Sequence, residues 1–254
     1  MPDQPLPPSN THSAGAARTS DATERRVREI RQRLVREGTL AVEMLEHALR
    51  ALWTLDTVGA QAVRSSDDNV DDEEVAIEQE CYELLALHRP FAHDFRAITF
   101  SLRVNADLER VADHATSIAK IVGRVVPLVP AGMSVPWPQA LRELGQRVPT
   151  RCHDVLRAVL SEDVAAARSL IQSDEVIDNL ERRVFDETRA MVAALGSDTK
   201  AVGLGMFVYR AGRELERVGD LMANVAEDVV YLATGEIIRH AKRRGTNAVV
   251  TKQA

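Results

Sequence analysis

From about Asp21 onward, apolar residues recur at helical spacing along almost the whole chain. Leu34, Ala41, Leu45, Ala48, Leu52 and Leu55 step by three, four or seven, drawing one apolar stripe along a long first helix. A second helix is predicted from about Val58 to His88, ending before Pro90, because the residue preceding a proline is pushed out of the helical region. A third runs from about Asp94 to Val126, striped by Ile98, Leu102, Leu108, Val111, Ala115, Ile118, Val122 and Val125. The segment PLVPAGMSVPWP then packs four prolines and a glycine into twelve residues and reads as a linker. Beyond it the pattern predicts helices near 138–160, 162–194 and 199–233, with Gly235 placed as a C-cap.

The two halves repeat. A fixed shift of 107 residues, with no gap, pairs Leu49-Arg50-Ala51 with Leu156-Arg157-Ala158 and Ser66-Asp67 with Ser173-Asp174. It also pairs Asp71 with Asp178, Glu74 with Glu181, Phe100 with Phe207, Arg103 with Arg210, and the LERV at 108–111 with that at 215–218. One offset holding across so many helical segments is an internal duplication. The expected fold is therefore all-α, two tandem three-helix bundles. The chain divides into a disordered leader at 1–22, a first bundle at 23–126, a Pro-rich linker at 127–138, a second bundle at 139–235 and a basic tail at 236–254.

Composition agrees with helices: 45% of residues are apolar but only 4% aromatic, which disfavours sheet. The formal charge of −6 is uneven. Five Lys/Arg and no acid lie in 239–254, so the rest of the chain carries −6 minus 5, or −11. An acidic body without a basic face is a poor nucleic-acid binder and a natural home for cations. No apolar run reaches 18 residues, so no membrane span is expected, and the Pro/Ser-rich N-terminus lacks the apolar stretch of a signal peptide. Cys81 and Cys152 stand far apart without CxxC spacing and read as free thiols, as in a reducing cytoplasm.

The chemistry lies in carboxylates. Glu109 and Asp113 sit one turn apart on one helix face, as do Glu216 and Asp220, although like charges at that spacing repel by about 0.2–0.5 kcal/mol. If the second and third helices form a hairpin turning near Phe91, a second acid pair, Asp67 and Asp71, lies level with the first. The duplicated half repeats this with Asp174 and Asp178. Four clustered carboxylates need compensation: raised pKa values, arginines or cations. Arg103, Arg110, Arg210 and Arg217 are candidate salt-bridge partners. A metal is the alternative, and all-oxygen ligation favours Mg²⁺, Mn²⁺ or iron over zinc. Glu43 and Glu46 lie at a similar level on the first helix, but their repeat counterparts are Thr150 and His153. His114 pairs with Leu221 in the repeat and is expected to pack. Trp137 is expected to plug the space between the bundles. No Ser or Cys nucleophile motif, Gly-rich phosphate loop or Glu-x-x-His di-iron motif occurs, which argues against an enzyme.

The stretches LERVADHATSIAKIV and LERVGDLMANVAEDVVYLATGE resemble the LERIGD-type helices of the PhoU family of phosphate-specific transport regulators. LLALHRPFAHDFRAI is similar to that family's hairpin segment. The resemblance spans about 30–235 and departs mildly from the pattern at Ala112 and Phe95. It implies two three-helix bundles, commonly dimeric, with no catalysis. It also implies negative regulation of the phosphate-starvation response in the cytoplasm, through the phosphate transporter ATPase and a sensor histidine kinase, with membrane association only through these partners. On this resemblance divalent or trivalent metal ions fall on Asp67, Asp71, Glu109, Asp113, Asp174, Asp178, Glu216 and Asp220. Arg89, Pro90, Asp94 and Arg96 are candidate partner contacts. The rival reading is a carboxylate-bridged metal-storage or redox bundle.

Overall fold

A computed structural model describes residues 11–238 except 89, 131 and 197, with side chains described from Thr23. The first bundle comprises α1 (Thr11–Thr54), α2 (Thr57–Ser65), α3 (Asp67–His88) and α4 (Ala92–Val125). A 3₁₀ turn, Val126–Leu128, opens the linker. The second bundle comprises α5 (Gln139–Ser161), α6 (Val164–Gln172), α7 (Glu175–Ala194) and α8 (Thr199–Thr234). Gly235 closes α8 in the left-handed conformation at φ 76°, as a helix-ending glycine should.

Two boundaries differ from expectation. Helix α1 begins at Thr11, inside the stretch read as a leader; the prolines that would stop a helix lie at 2, 5, 7 and 8, outside the described residues. The second helix of each bundle is also broken in two. At Ser66 the hydroxyl donates to the Ala62 carbonyl and the N–H turns back to Val63, which ends α2. At Ser173 the hydroxyl donates to Leu170 and the N–H to Ser169, which ends α6. Serine hydroxyls that compete for backbone carbonyls favour such breaks.

The duplication extends to the joints. Leu55 and Glu162, again 107 apart, both adopt left-handed φ values, 55° and 52°. Each precedes an aspartate that caps the next helix. Asp56 accepts from the Val58 and Gly59 N–H groups, and Asp163 from that of Ala166. Such caps contribute roughly 1 kcal/mol each.

Within each bundle the stripes meet in an apolar core. Leu34, Leu45 and Leu52 of α1 pack with Ile77 and Leu84 of α3 and with Ile98, Leu108 and Ile118 of α4, all essentially inaccessible. Val148 and Val155, Val184, and Val208, Leu215 and Val225 play the same part in the second bundle. The bundles join through α4 against α8 and α1 against α5. Arg96 meets the Leu232 carbonyl, Arg103 meets Asp228 and His114 meets Glu214, so α4 and α8 run antiparallel. At the α1–α5 contact a Cβ on Gly38 would lie 2.5 Å from Leu156 Cδ2, so the glycine permits this approach. Trp137 from the linker packs edge-on against Trp53 of α1, with ring centroids 5.3 Å apart. Among the described residues no helix is long and apolar enough to cross a membrane.

Candidate metal centres

The breaks at Ser66 and Ser173 place the predicted acids at helix N-termini. Asp67 opens α3, and Asp174 stands at the N-terminal boundary of α7 without a side-chain capping bond, with Asp178 in the first turn of α7. The positive end of a helix dipole favours a carboxylate there by about 0.3–1 kcal/mol, which offsets part of the mutual repulsion. The second acid pair of each half comes from α4 or α8, whose i, i+4 spacing puts both carboxylates on one face.

In the second bundle the acids converge. Asp174, Asp178 and Asp220 each offer a carboxylate oxygen, all within 4.8 Å of one another. Glu216 lies beside this trio as an electrostatic neighbour of Asp220 and Asp178, and pairs with Arg213 at 3.2 Å. Burial, then Asp174 and Asp178, hold Asp220 above the usual carboxylate range. The cluster carries its own cation: buried Arg151 of α5 donates to Asp174 Oδ1 over 3.0 Å. Burial lowers the Arg151 pKa, while Asp174, Asp220 and Asp178 act to raise it.

In the first bundle the four predicted acids share one electrostatic neighbourhood but stand further apart. Burial, with Asp71 and Asp113, raises Asp67; burial, then Asp113, raises Asp71. Burial, then Asp113, Glu74 and Asp71, pushes Glu109 up to about 7. The repeat counterpart of Arg151 is Met44, and that of Arg213 is Ala106, so those two compensating cations have no equivalents here.

The arginines expected to support the clusters serve elsewhere. Arg103 lies 3.4 Å from Asp228 and stacks over the Tyr231 ring, and Arg210 pairs with Glu214; both belong to the seam between the bundles. Arg110 pairs with Asp107 on its own exposed face and reaches Glu109 only through space. Arg217 is exposed. His114, expected to pack, instead bonds Glu214 across the seam at 2.7 Å. Burial opposes the Glu214 charge, but His114 and Arg210 prevail and keep its pKa low. Glu46 meets His153 at 3.0 Å rather than turning to the acids, and Glu43 is exposed.

Among the proposed partner contacts, Arg89 lies outside the described residues. Pro90 and Asp94 are half-buried at the α3–α4 turn beside exposed Phe91 and Phe95, and Arg96 is tied to the Leu232 carbonyl. Both cysteines are buried, and burial pushes each thiol up to about 12, which makes them inert.

One acidic residue escaped the sequence reading. Glu37 of α1 is fully buried, and neither carboxylate oxygen has a hydrogen-bond partner. Its signal is plain in hindsight: the α1 stripe steps by seven from Leu34 to Ala41, and Glu37 fills the skipped apolar position.

Fold and sites together define a duplicated helical-bundle protein with an acid cluster in each half. The chain belongs to the PhoU family: the PhoU domain matches it twice, over 34–122 and 141–229, limits that are again 107 residues apart. A protein of Pseudomonas putida named phosphate-specific transport system accessory protein PhoU homolog is 34% identical over 212 residues, 84% of this chain and 80% of the relative. A relative of the same name from Deinococcus radiodurans is 33% identical over 174 residues, 68% of this chain and 78% of the relative. The crystal structure of PhoU from Pseudomonas aeruginosa matches with TM-score 0.74 at 30% identity, covering 85% of this chain and 99% of that one. The phosphate transport system regulatory protein PhoU from Streptococcus pneumoniae gives TM-score 0.73 at 28% identity, over 85% and 98%.

Proposed function

We propose that the protein is a non-enzymatic, cytoplasmic regulator of phosphate uptake and a negative regulator of the phosphate-starvation response. It acts by binding the phosphate transporter's ATPase and a sensor histidine kinase, as a homodimer that reaches the membrane only through these partners. The observation that carries this reading is likeness through both bundles to relatives named as accessory proteins of phosphate-specific transport. The α3–α4 turn, with Phe91 at 83% exposure and Phe95 beside it, supports a partner contact near Pro90 and Asp94.

Metal ions brace each bundle in this reading. Asp174, Asp178 and Asp220, with Glu216 beside them, would hold a cation in the second bundle; Asp67, Asp71, Glu109 and Asp113 would do so in the first. In the second bundle the donor set supports this, since the convergent carboxylate oxygens of Asp174, Asp178 and Asp220 suit a hard or borderline cation such as Mg²⁺, Mn²⁺ or iron; in the first, the shared electrostatic neighbourhood of the four acids supports it. The ion would neutralise the acids and tie the broken second helix to the third.

Deleting the gene in the source bacterium tests the proposal. Phosphate-starvation gene expression or phosphate uptake should rise in phosphate-rich medium, and unchanged expression and uptake would overturn it.

A further inference from the structure

The hairpin of α7 and α8 carries an apolar outer face that its acid cluster does not use. Phe185 and Val192 of α7 and Val202, Gly205, Met206 and Tyr209 of α8 line a groove of about 410 Å³ there. Phe185 is 52% exposed and Met206 69%. Phe185 meets Tyr209 edge-on, with ring centroids 5.5 Å apart, and the Tyr209 hydroxyl donates to Glu181. Val192 lies against the Gly205 backbone, since a Cβ on Gly205 would fall 2.4 Å from Val192 Cγ2. Buried Thr188 also lines the groove, and its Oγ1 has no partner. The first bundle lacks this face. At the 107-residue offset Phe185 is replaced by Glu78, Met206 by Thr99 and Gly205 by buried Ile98. The helical hairpin therefore folds without an exposed Phe and Met at these places, and their presence in one half calls for a cover. Exposed apolar patches of this kind mark contacts with other proteins.

We infer that two copies of the chain join through this α7–α8 face, about a two-fold axis that passes near Thr188. The inference rests on the homodimer reading above and gives that dimer its interface. A two-fold contact needs a surface that complements itself. This face supplies a projecting Met206 and, beside it, the groove over Gly205 that receives the same side chain of the second copy. Met fills such irregular hollows well, because its unbranched chain adapts its shape. The charged edge complements itself too. Asp186 and Arg189 stand 3.5 Å apart on α7, both largely exposed. When two α7 helices pair antiparallel about that axis, each Arg189 faces the Asp186 of the second copy. The size is sufficient. The 20 residues of α7 run about 30 Å, and two helices side by side span about 20 Å, so each copy offers roughly 600 Å². Two such faces give about 1,200 Å², the lower end of specific interfaces.

Sedimentation equilibrium on the full chain tests the interface. The wild type should be a dimer. Met206→Glu and Phe185→Glu, both at exposed positions that leave the core intact, should each raise the dimer Kd roughly 30-fold or more, the scale of a central interface anchor. Thr99→Glu, at the counterpart of Met206 in the first bundle, should leave the Kd unchanged. Asp186→Arg and Arg189→Asp should each weaken the dimer alone, because like charges then face one another across the axis. Mixing those two variants should restore association as a heterodimer, a rescue that a role within one chain would not produce. A monomeric wild type would overturn the homodimer reading and this interface together. A dimer that survives Met206→Glu and Phe185→Glu, or charge variants that do not recover on mixing, would overturn the interface alone.

Discussion

Arg151 and Asp174, 3.0 Å apart, form a half-buried ion pair in the second bundle, and the same place in the first bundle is occupied by Met44. The duplicated acid clusters are therefore not electrostatically alike. One carries a built-in cation, whereas the first bundle adds a carboxylate, Glu37, where the second has Leu144. Arg151→Met should destabilise the metal-free protein by about 1.5–3 kcal/mol, the usual worth of a charged hydrogen bond. The same change should tighten Mn²⁺ binding at Asp174, Asp178 and Asp220 by removing a competing charge. Chemical denaturation in EDTA, paired with Mn²⁺ titration, checks both signs; weaker Mn²⁺ binding would contradict the assignment.

Metal-free stability should fall as pH rises. Burial, then Glu73, Glu74 and Glu109, pushes Glu37 from 4.5 up to about 9, with only Arg33 opposing. Below pH 4.5 both folded and unfolded chains hold this proton. Between 4.5 and about 9 the unfolded chain releases it first, so the folded state binds more protons and loses stability with rising pH. The slope from one such group is at most about 1.4 kcal/mol per pH unit. Urea denaturation in EDTA from pH 5 to 8 should show this slope in the wild type and a flatter one in Glu37→Leu. Parallel curves would refute it.

The approach of the two bundles depends on the absence of a side chain at Gly38. Gly38→Val should wedge α1 away from Leu156 and cost about 1–3 kcal/mol, the usual cost of overpacking. Gly123→Val should show no such overpacking loss, because nothing lies within 4 Å of a Cβ built there. Thermal melts of the two variants compare them directly; equal midpoints would show that the bundles are not tightly docked at this point.

The helices were legible in the sequence because each buries a continuous stripe, and the duplication was legible because its offset is unbroken. The break at Ser66 was not, since Val63 and Val70 on either side both remain buried and keep the stripe in phase. It is a local event of hydroxyls and backbone carbonyls, invisible to apolar periodicity. The acid pairs were readable from i, i+4 spacing, but of the expected quartets the structure brings only Asp174, Asp178 and Asp220 within 4.8 Å of one another among the described residues. The partners of the arginines were not, because helix rotation decides them: Arg103 turns to α8, and Arg151, a residue with no duplicate, neutralises the second cluster instead. Glu37 was hidden by the same stripe that revealed α1, where a single polar residue reads as an interruption.

The central claim, that this PhoU-family chain regulates through the phosphate transporter and a sensor kinase, is tested most directly by affinity capture from its native host. Tagged chain should be recovered from phosphate-rich cells and from starved cells, with bound proteins identified by mass spectrometry. The transporter ATPase and the sensor histidine kinase should be among the captured proteins in phosphate-rich cells. Recovery of neither protein at either phosphate level would contradict it.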